Sequence, residues 1–276
     1  MLFRSVWLGH TSPEEVPHLD GRPVNGITSS LDRKSRVTGN PYRLAANADQ
    51  SFQGSNLVGT GFVLETEQAR ALIEKDPRNR DVLFPYLNGE DLNSTPDCSA
   101  RRWVINFHDW PIERAQQYPD CFEIVEREVK PFRAKNNRKV YRDYWWQYGE
   151  KRPAMLKAIE GLDRVLVISR VTKYLSFAFV PTGQVFNERL VVFATTDLSL
   201  FALLSSAIHE YWALAWGTTQ ETRPTYFPEA CFETFPQPEL TARMDQLGAE
   251  LDSYRRSVML GRELGLTKLY NLVHDE

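Results

Sequence analysis

The chain has 276 residues, of which 42% are hydrophobic and 25% charged, and its formal net charge is -3. These values are ordinary for a globular protein of one or two domains, and an aromatic content of 12% supports a folded chain. No apolar run approaches the roughly 20 residues that cross a bilayer, and the N-terminus lacks a signal-peptide pattern, which excludes a membrane partner and predicts a cytoplasmic protein.

The first 50 residues are predicted to form a linker rather than an independent fold. Proline and glycine interrupt them too often for long elements, at Pro13, Pro17, Gly21, Pro23, Gly26, Gly39 and Pro41. The opening MLFRSVWLG has no pattern typical of the start of a domain. We expect the preceding part of the protein to lie elsewhere.

Strands alternate with short helices in the next hundred residues. FVLETEQARALIEKD predicts a strand that turns into a helix with Thr66 as its N-cap, and VLFPYLNGEDL predicts a strand edge and a turn. RRWVINF predicts a strand, and Asp109 or Pro111 opens a short helix. CFEIVEREVKPF continues helically until Pro131 interferes, and a further helix runs from Pro153 to Gly161.

The following segment is the most apolar part of the chain. RVLVIS, YLSFAFV and RLVVFAT predict three strands. Asp197 then caps one long helix, LSLFALLSSAIHEYWALAW, which Gly217 ends. This helix is predicted to lie at the centre of the core.

The tail has a coiled-coil character. From Pro238 onward, apolar residues recur at alternating steps of four and three, at Leu240, Met244, Leu247, Leu251, Tyr254 and Val258. A seam of this kind packs against another helix.

The segment Lys130–Arg152 stands out by its charge. It holds eight Lys or Arg against two acids, Asp143 and Glu150, so it carries +6 and the rest of the chain carries -9. Six aromatic residues are interleaved. Cations gathered on an acidic body are typical of a polyanion site, with aromatic rings that stack on bases or brace the loop. The alternative is a solvated loop pinned by a core pair, Trp145 and Trp146.

Four fragments imitate catalytic motifs but lack the required context: Asn40-Pro41-Tyr42, Gly59-Thr60-Gly61-Phe62, His209-Glu210, and Pro119-Asp120 with Glu128-Val129-Lys130. The first lacks a proline and a preceding strand, and the glycine pair leads into a strand rather than a helix. Ala213 stands where a zinc motif needs a second His, and the two acids lie on a predicted helix. Cys98, Cys121 and Cys231 form neither a metal motif nor a disulfide framework. We expect no metal, no cofactor and no self-contained active site in this chain.

An ordered set of segments resembles the target-recognition domain of adenine-specific DNA methyltransferases, of the TaqI-like and type IIG/IIL restriction-modification kind. The segments are QGSNLVGTGFVLETEQARALI, DVLFPYLNGEDLN, RWVINF, YPDCFEIVEREVKPFR, YWWQYGEKRPAMLKAI, DRVLVISRVTKYLSFAFVP, LLSSAIHEYWALAWG and FETFPQP. Together they cover about residues 15 to 240. Each is moderately specific, and their order is the stronger signal.

The resemblance implies an α+β fold, with a mixed β-sheet recognition domain over residues 51–237 and packed helices. Residues 1–50 would be the end of a methyltransferase domain and its link, and residues 238–276 a C-terminal helical spacer. Such a chain binds double-stranded DNA beside a methyltransferase domain or subunit and is not an enzyme alone. S-adenosylmethionine is expected in the missing catalytic domain.

Several side chains are predicted to contact DNA. Phosphate and groove contacts are expected from Arg133, Lys135, Arg138, Lys139 and Arg142. Asn136 and Asn137 read adenine or form a turn, and Arg152 meets phosphate or pairs with a carboxylate inside the domain. Loops near the end of the domain supply Lys173, Tyr174, Glu221, Arg223 and Tyr226, where the resemblance assigns base-pair choice to the region of Glu221 and Arg223.

Two other functions stay open. In one, the chain carries a complete carboxylate and metal site and acts as an enzyme by itself. In the other, it is a protein-interaction module whose heptad helix docks a partner subunit while the basic segment stabilises the fold. Buried Trp145 and Trp146 with basic side chains scattered over several faces would favour the second.

Overall fold

The structure is a computed structural model that describes residues 16–27, 39–220 and 223–274. Its contacts separate Met1–Pro41 from Tyr42–Glu276. In the first unit, the short antiparallel strands β1 (His18–Leu19) and β2 (Arg22–Pro23) are joined at Asp20 and Gly21. Both turn residues have positive φ, the geometry of a tight hairpin turn. The boundaries expected at residues 50 and 237 stay predictions.

The second unit alternates strands and helices along the chain. Its strands are β3 (Ser51–Gln53), β4 (Val63–Glu65), β5 (Leu83–Leu87), β6 (Arg102–Ile105), β7 (Arg164–Ser169), β8 (Ala178–Pro181), β9 (Val185–Phe186), β10 (Leu190–Phe193), β11 (Thr218–Gln220) and β12 (Arg223–Thr225). Its helices are α1 (Thr66–Lys75), α2 (Gly89–Ser94), α3 (Ile112–Ala115), α4 (Pro119–Glu128), α5 (Lys130–Ala134), α6 (Lys139–Asp143), α7 (Pro153–Ala158), α8 (Leu198–Leu204), α9 (Ala207–Trp216), α10 (Ala242–Arg262) and α11 (Leu266–His274). A π-helical turn spans Pro228–Phe232.

The first sheet has the order β4–β6–β5–β9, antiparallel except for the parallel pair β5 and β9. The core on this sheet includes Phe62, Val104 and Phe107, all fully buried. Thr66, the predicted N-cap of α1, is instead its first helical residue, because the backbone N–H of Glu65 donates to Gln68 Oε1 and Glu65 takes the cap position.

The second sheet has the order β3–β10–β7–β8 and is antiparallel throughout. Alternate residues of β7 enter two different cores: Leu166 and Ile168 pack on the side of α8, while Val165 and Val167 face Met155 and Met259. Since both faces are covered, β7 and β10 read as continuous apolar runs, and both were predicted. The strand predicted over YLSFAFV forms only from Ala178.

The predicted long helix is two helices, α8 and α9, bent by 57° where Ser205 and Ser206 separate them. Asp197 caps α8 as predicted, but Ser206 caps α9 by accepting from the His209 N–H. Serine oxygens compete for backbone donors and favour a new helix start. Much of α8 is buried, whereas Tyr211 of α9 is 76% exposed, so the segment is not one central core helix. No single helix among the described residues is long and apolar enough to span a membrane.

The C-terminal helices complete an α+β fold, as predicted. α10 packs along α8, and Gly248 lies so close that a Cβ there would stand 2.1 Å from the Leu198 carbonyl oxygen. The prediction of helix packing is therefore confirmed, and part of the expected seam takes part in it, because Met244 and Leu251 pack against the core that contains α8. Met259 is buried while Leu247 and Tyr254 are exposed. Docking of a partner through those two side chains stays a prediction.

Candidate nucleic-acid interface

A cleft of about 740 Å³ is lined by residues of both sheets together with neighbouring helices and turns. Its walls come from α2 and its N-cap, the start of β6, the end of β7 with the segment that follows it, the β9–β10 turn, the β11–β12 hairpin and the start of α11. The lining side chains with hydrogen-bonding or charged groups are Asn88, Glu90, Asn93, Ser94, Arg102, Ser169, Thr172, Lys173, Asn187, Arg189, Gln220, Arg223, Thr267 and Lys268.

The cleft is basic although the chain as a whole is acidic. Among the described residues that line it, five carry positive charge and only Glu90 carries negative charge: the cations are Arg102, Lys173, Arg189, Arg223 and Lys268. A concave surface of one sign raises the local concentration of ligands of the opposite sign. Amides of Asn and Gln beside the cations add the donor and acceptor pairs that base edges require.

Hydrogen bonds of Asn187 fix the β9–β10 turn, which carries Arg189 at the cleft. The Asn187 N–H donates to the Leu87 carbonyl at 2.9 Å, and its side-chain Oδ1 accepts from the Arg189 N–H at 2.8 Å. The Arg170 N–H donates to the Arg189 carbonyl at 2.8 Å. These bonds fix the backbone of the turn and leave the Arg189 side chain exposed at the cleft.

Two of the predicted residues, Lys173 and Arg223, lie on this cleft together. The β11–β12 hairpin is joined to the segment after β7, because the Thr172 N–H donates to the Pro224 carbonyl at 3.3 Å and the Tyr226 N–H to the Arg170 carbonyl at 2.7 Å. Residues some 50 positions apart thereby share one wall. The structure thus brings together two side chains that were predicted separately, while their role toward DNA stays a prediction.

Tyr226 was predicted to contact DNA, and the structure corrects this. Its side chain is only 1% exposed, and its hydroxyl lies 2.9 Å from Nε2 of buried His209. Phe177 and Phe193 meet its ring edge-on, and burial raises the pKa of Tyr226 well above its usual value. Tyr226 therefore anchors the end of the hairpin. Glu221, in the same loop, lies outside the described residues.

Arg133 was predicted to contact phosphate, and this too is corrected. The side chain is 1% exposed, and its guanidinium donates to main-chain carbonyls of Val58 at 3.0 Å, Gln147 at 2.7 Å, Tyr144 at 3.3 Å, and Leu57. Burial lowers its pKa to about 10, so it stays charged at neutral pH. Arg133 joins two segments of backbone.

Four other cations predicted in this segment, Lys135, Arg138, Lys139 and Arg142, are exposed, and none of them lines the cleft. Arg138 donates to the Tyr141 hydroxyl at 2.8 Å, Lys139 pairs with Asp143, and Arg142 donates to the Asn136 carbonyl at 2.5 Å. Contacts of Lys135, Asn137, Arg138, Lys139 and Arg142 with DNA stay predictions. Asn136 forms the turn that was its alternative, since its Oδ1 accepts from the Arg138 N–H at 2.9 Å.

The tryptophan pair braces the segment, as predicted. Trp145 and Trp146 are each 7% exposed, and Trp146 Nε1 donates to the Trp110 carbonyl at 2.9 Å. For Arg152 the structure shows the second of its two predicted roles, pairing with a carboxylate inside the domain. Its Nη1 lies 3.6 Å from a Glu150 carboxylate oxygen, and its Nε donates to the Gly54 carbonyl at 3.1 Å.

Tyr174 stands behind the cleft rather than in its lining. Its ring stacks on His274 at 4.8 Å between centroids, and its hydroxyl donates to Asn271 Oδ1 at 3.0 Å. A direct contact with DNA from this half-buried side chain stays a prediction.

Arg102, Arg189 and Lys268 are cleft cations that sequence reasoning missed. Asn88-Gly89 and Asn187-Glu188-Arg189 each follow an apolar strand directly, which is a readable signal for turns at one sheet edge. Lys268 gives no such signal, since only the packing of α11 brings it to the cleft.

Two of the fragments that imitate catalytic motifs lie on helices, His209-Glu210 on α9 and the two acids on α4. Burial lowers the pKa of His209 to about 3, and Asp120 and Glu128 lie on helix α4 as expected. Within the described ranges no group of three or more His, Cys, Asp or Glu side chains is placed to hold a metal. The three cysteines are unpaired and buried, and burial raises the pKa of Cys98 to about 11 and that of Cys121 to about 12.

The family described as "MmeI, target recognition domain" matches residues 40–239, and the chain belongs to that family. The resemblance read from the sequence is thereby confirmed. The fold is similar to that of the type IIL restriction-modification enzyme MmeI, whose solved structure is a complex with DNA. The TM-score is 0.70 at 15% identity, over 91% of this chain and 33% of the MmeI chain.

A second solved structure, of the type IIG restriction endonuclease BpuSI, has a TM-score of 0.42 at 14% identity, over 81% of this chain and 29% of that one. The chain thus spans about a third of the length of the enzymes it resembles. No curated protein matches it.

Proposed function

We propose that this chain binds duplex DNA and reads its sequence as the specificity portion of a restriction-modification DNA adenine methyltransferase. The observation that carries the proposal is the basic, amide-rich cleft. Five cations from five separate segments of backbone face one concavity in a chain whose net charge is negative. Membership in the MmeI target recognition domain family supports duplex DNA as the polyanion.

Two kinds of contact are expected to divide the work. The exposed basic segment neutralises phosphates and supplies affinity that falls as salt rises. Side chains of the cleft, with Arg223 and Arg189 foremost, meet base edges and set preference, since a guanidinium pairs with guanine through two hydrogen bonds.

The catalytic step belongs to a partner domain or subunit in this proposal. That portion would bind S-adenosylmethionine and receive the adenine after it leaves the stack, while this chain grips the duplex. A cytoplasmic location suits such an enzyme. An Asn-Pro-Pro-Tyr motif is expected in that domain or subunit, and a methyltransferase partner that lacks such a motif would contradict this part.

Affinity titrations, together with selection of bound duplexes from a randomised pool, test whether the basic segment contacts phosphates while the cleft reads base edges. Arg138→Ala combined with Arg142→Ala should weaken binding to all duplexes about equally and reduce the salt slope by about two. Arg223→Ala should leave the slope nearly unchanged for mixed sequence and lose about 10-fold or more of the discrimination at one base pair. Equal effects of the two variants on affinity and preference would refute it.

A further inference from the structure

The C-terminal helix α11 lies beyond the residues that the family match covers, yet it forms part of the cleft. Thr267 and Lys268, in its first turn, line the concavity opposite side chains of the sheets. The family match ends at residue 239. The cleft is therefore built partly by a helix that lies outside the matched recognition domain.

The position of α11 against α2 is fixed by close packing. A Cβ at Gly265 would stand 2.4 Å from the Ser94 carbonyl carbon, so only glycine permits this approach. Leu266 is fully buried in the core that Met155 and Met259 share. Lys268 is exposed on the same helix. The helix is thus held against the wall of the cleft that carries Asn88 and Asn93.

One turn later, α11 holds the loop that carries Lys173. Asn271 Oδ1 accepts from the Lys173 ammonium at 2.7 Å and from the Tyr174 hydroxyl at 3.0 Å. His274 stacks on the Tyr174 ring, with 15° between the ring planes. The amide oxygen of Asn271 thereby orients the Lys173 ammonium at the edge of the cleft.

We propose that α11 is part of the DNA-reading surface, with Lys268 as a phosphate contact and Asn271 as the residue that positions Lys173. The inference rests on the proposed DNA-binding function. It gives the C-terminal segment a direct role in recognition in addition to that of a spacer.

Lys268 is tested by fluorescence polarisation on a mixed-sequence duplex, with salt raised from about 50 to 200 mM. Lys268→Ala should weaken binding about 3- to 10-fold and lower the slope of log affinity against log salt by about one, as loss of one phosphate contact requires. Lys157→Ala is the matched control, since Lys157 is an exposed lysine on α7 outside the cleft. Equal slopes for the two variants would overturn the contact.

Asn271 is tested by a double-mutant cycle with Lys173. Asn271→Ala should weaken binding about 3- to 10-fold in the wild type and have little effect in the Lys173→Ala background, because its effect passes through that ammonium. Thermal unfolding of each variant separates this from a loss of stability. Additive losses would overturn the positioning role.

The same titrations distinguish failure of the DNA-binding proposal from failure of the role proposed for α11. A wild-type chain that binds no duplex overturns both. A wild type that binds, loses affinity in Arg189→Ala, and is unaffected by Lys268→Ala and Asn271→Ala keeps the DNA-binding cleft and overturns only the role of α11.

Discussion

Arg133 lies in the most basic segment of the chain, but its side chain stabilises the fold. Its guanidinium is buried and shared among carbonyl oxygens of two backbone segments, near Val58 and near Gln147. The sequence could not distinguish it from exposed Lys135, because both stand in the same run of cations. Only the geometry of α5 turns one inward and the other outward.

Replacing Arg133 by Met should destabilise the protein by about 3 kcal/mol or more, since the carbonyls it satisfies would stay buried without donors. Urea unfolding measures the change. Lys135→Met, at an exposed site, should lie within about 0.5 kcal/mol of the wild type. Comparable stabilities of the two variants would show that Arg133 is not buried as described.

His209 and Tyr226 form a buried polar pair beneath the hairpin that carries Arg223. Burial holds the pKa of His209 at about 3, against 6.5 for an ordinary histidine. The folded chain therefore binds fewer protons than the unfolded chain between these values. The stabilisation from neutral His209 is present above pH 6.5 and is lost as the pH falls toward 3.

We expect the free energy of unfolding of the wild type to fall by about 2 kcal/mol between about pH 7 and pH 5 through His209 alone. His209→Gln should lack this part of the decline. Tyr226→Phe keeps the imidazole and should keep the pH dependence while losing the hydrogen bond. Urea titrations at both pH values measure it, and parallel profiles for wild type and His209→Gln would contradict the assignment.

At the scale of elements, long apolar runs were predictable and short polar ones were not. β7 and β10 follow from RVLVIS and RLVVFAT because a strand covered on both faces is apolar throughout. β9 has two residues and the β11–β12 hairpin three per strand, too few for a periodic signal. The break between α8 and α9 could have been predicted from Ser205 and Ser206, because serine favours helix N-caps. The apolar residues on both sides of the pair favoured one continuous helix instead.

α10 shows that a heptad pattern alone predicts only part of the buried face of a helix. The helix approaches α8 at its small residue, Gly248. The seam residues Met244 and Leu251 pack against the same core, while the apolar Leu247 and Tyr254 are exposed. Close approach at glycine depends on the partner backbone at Leu198, and a pattern within α10 carries no information about it.

Gly248→Ala should therefore destabilise the protein by about 1–3 kcal/mol, because the new methyl group would overlap the Leu198 carbonyl. Gly261→Ala, in the same helix but with open space at its Cβ, should stabilise by about 0.5–1 kcal/mol through helix propensity. The melting temperatures of both variants, compared with that of the wild type, measure these changes in stability. A Gly248→Ala protein as stable as the wild type would mean that α10 does not lie against α8 at this point.

At the scale of the whole molecule, charge is divided between an acidic body and two basic regions. One is a continuous run of sequence, which composition reveals. The other is the cleft, whose cations Arg102, Arg189 and Lys268 are far apart in the chain and meet only when two sheets and α11 assemble. Sequence reasoning could find Lys173 and Arg223 from their loops, but no local pattern predicts that the five would converge.

The central claim, that this cleft is the DNA surface, is tested most directly by reversing one of its charges. Arg189→Glu places a carboxylate at an exposed position of the β9–β10 turn that lines the cleft. Polarisation titrations on a mixed-sequence duplex at about 100 mM salt should show at least about 10-fold weaker binding than the wild type, with Arg70→Glu, on exposed α1, nearly unchanged. Equal affinities of wild type and Arg189→Glu for DNA would contradict the account.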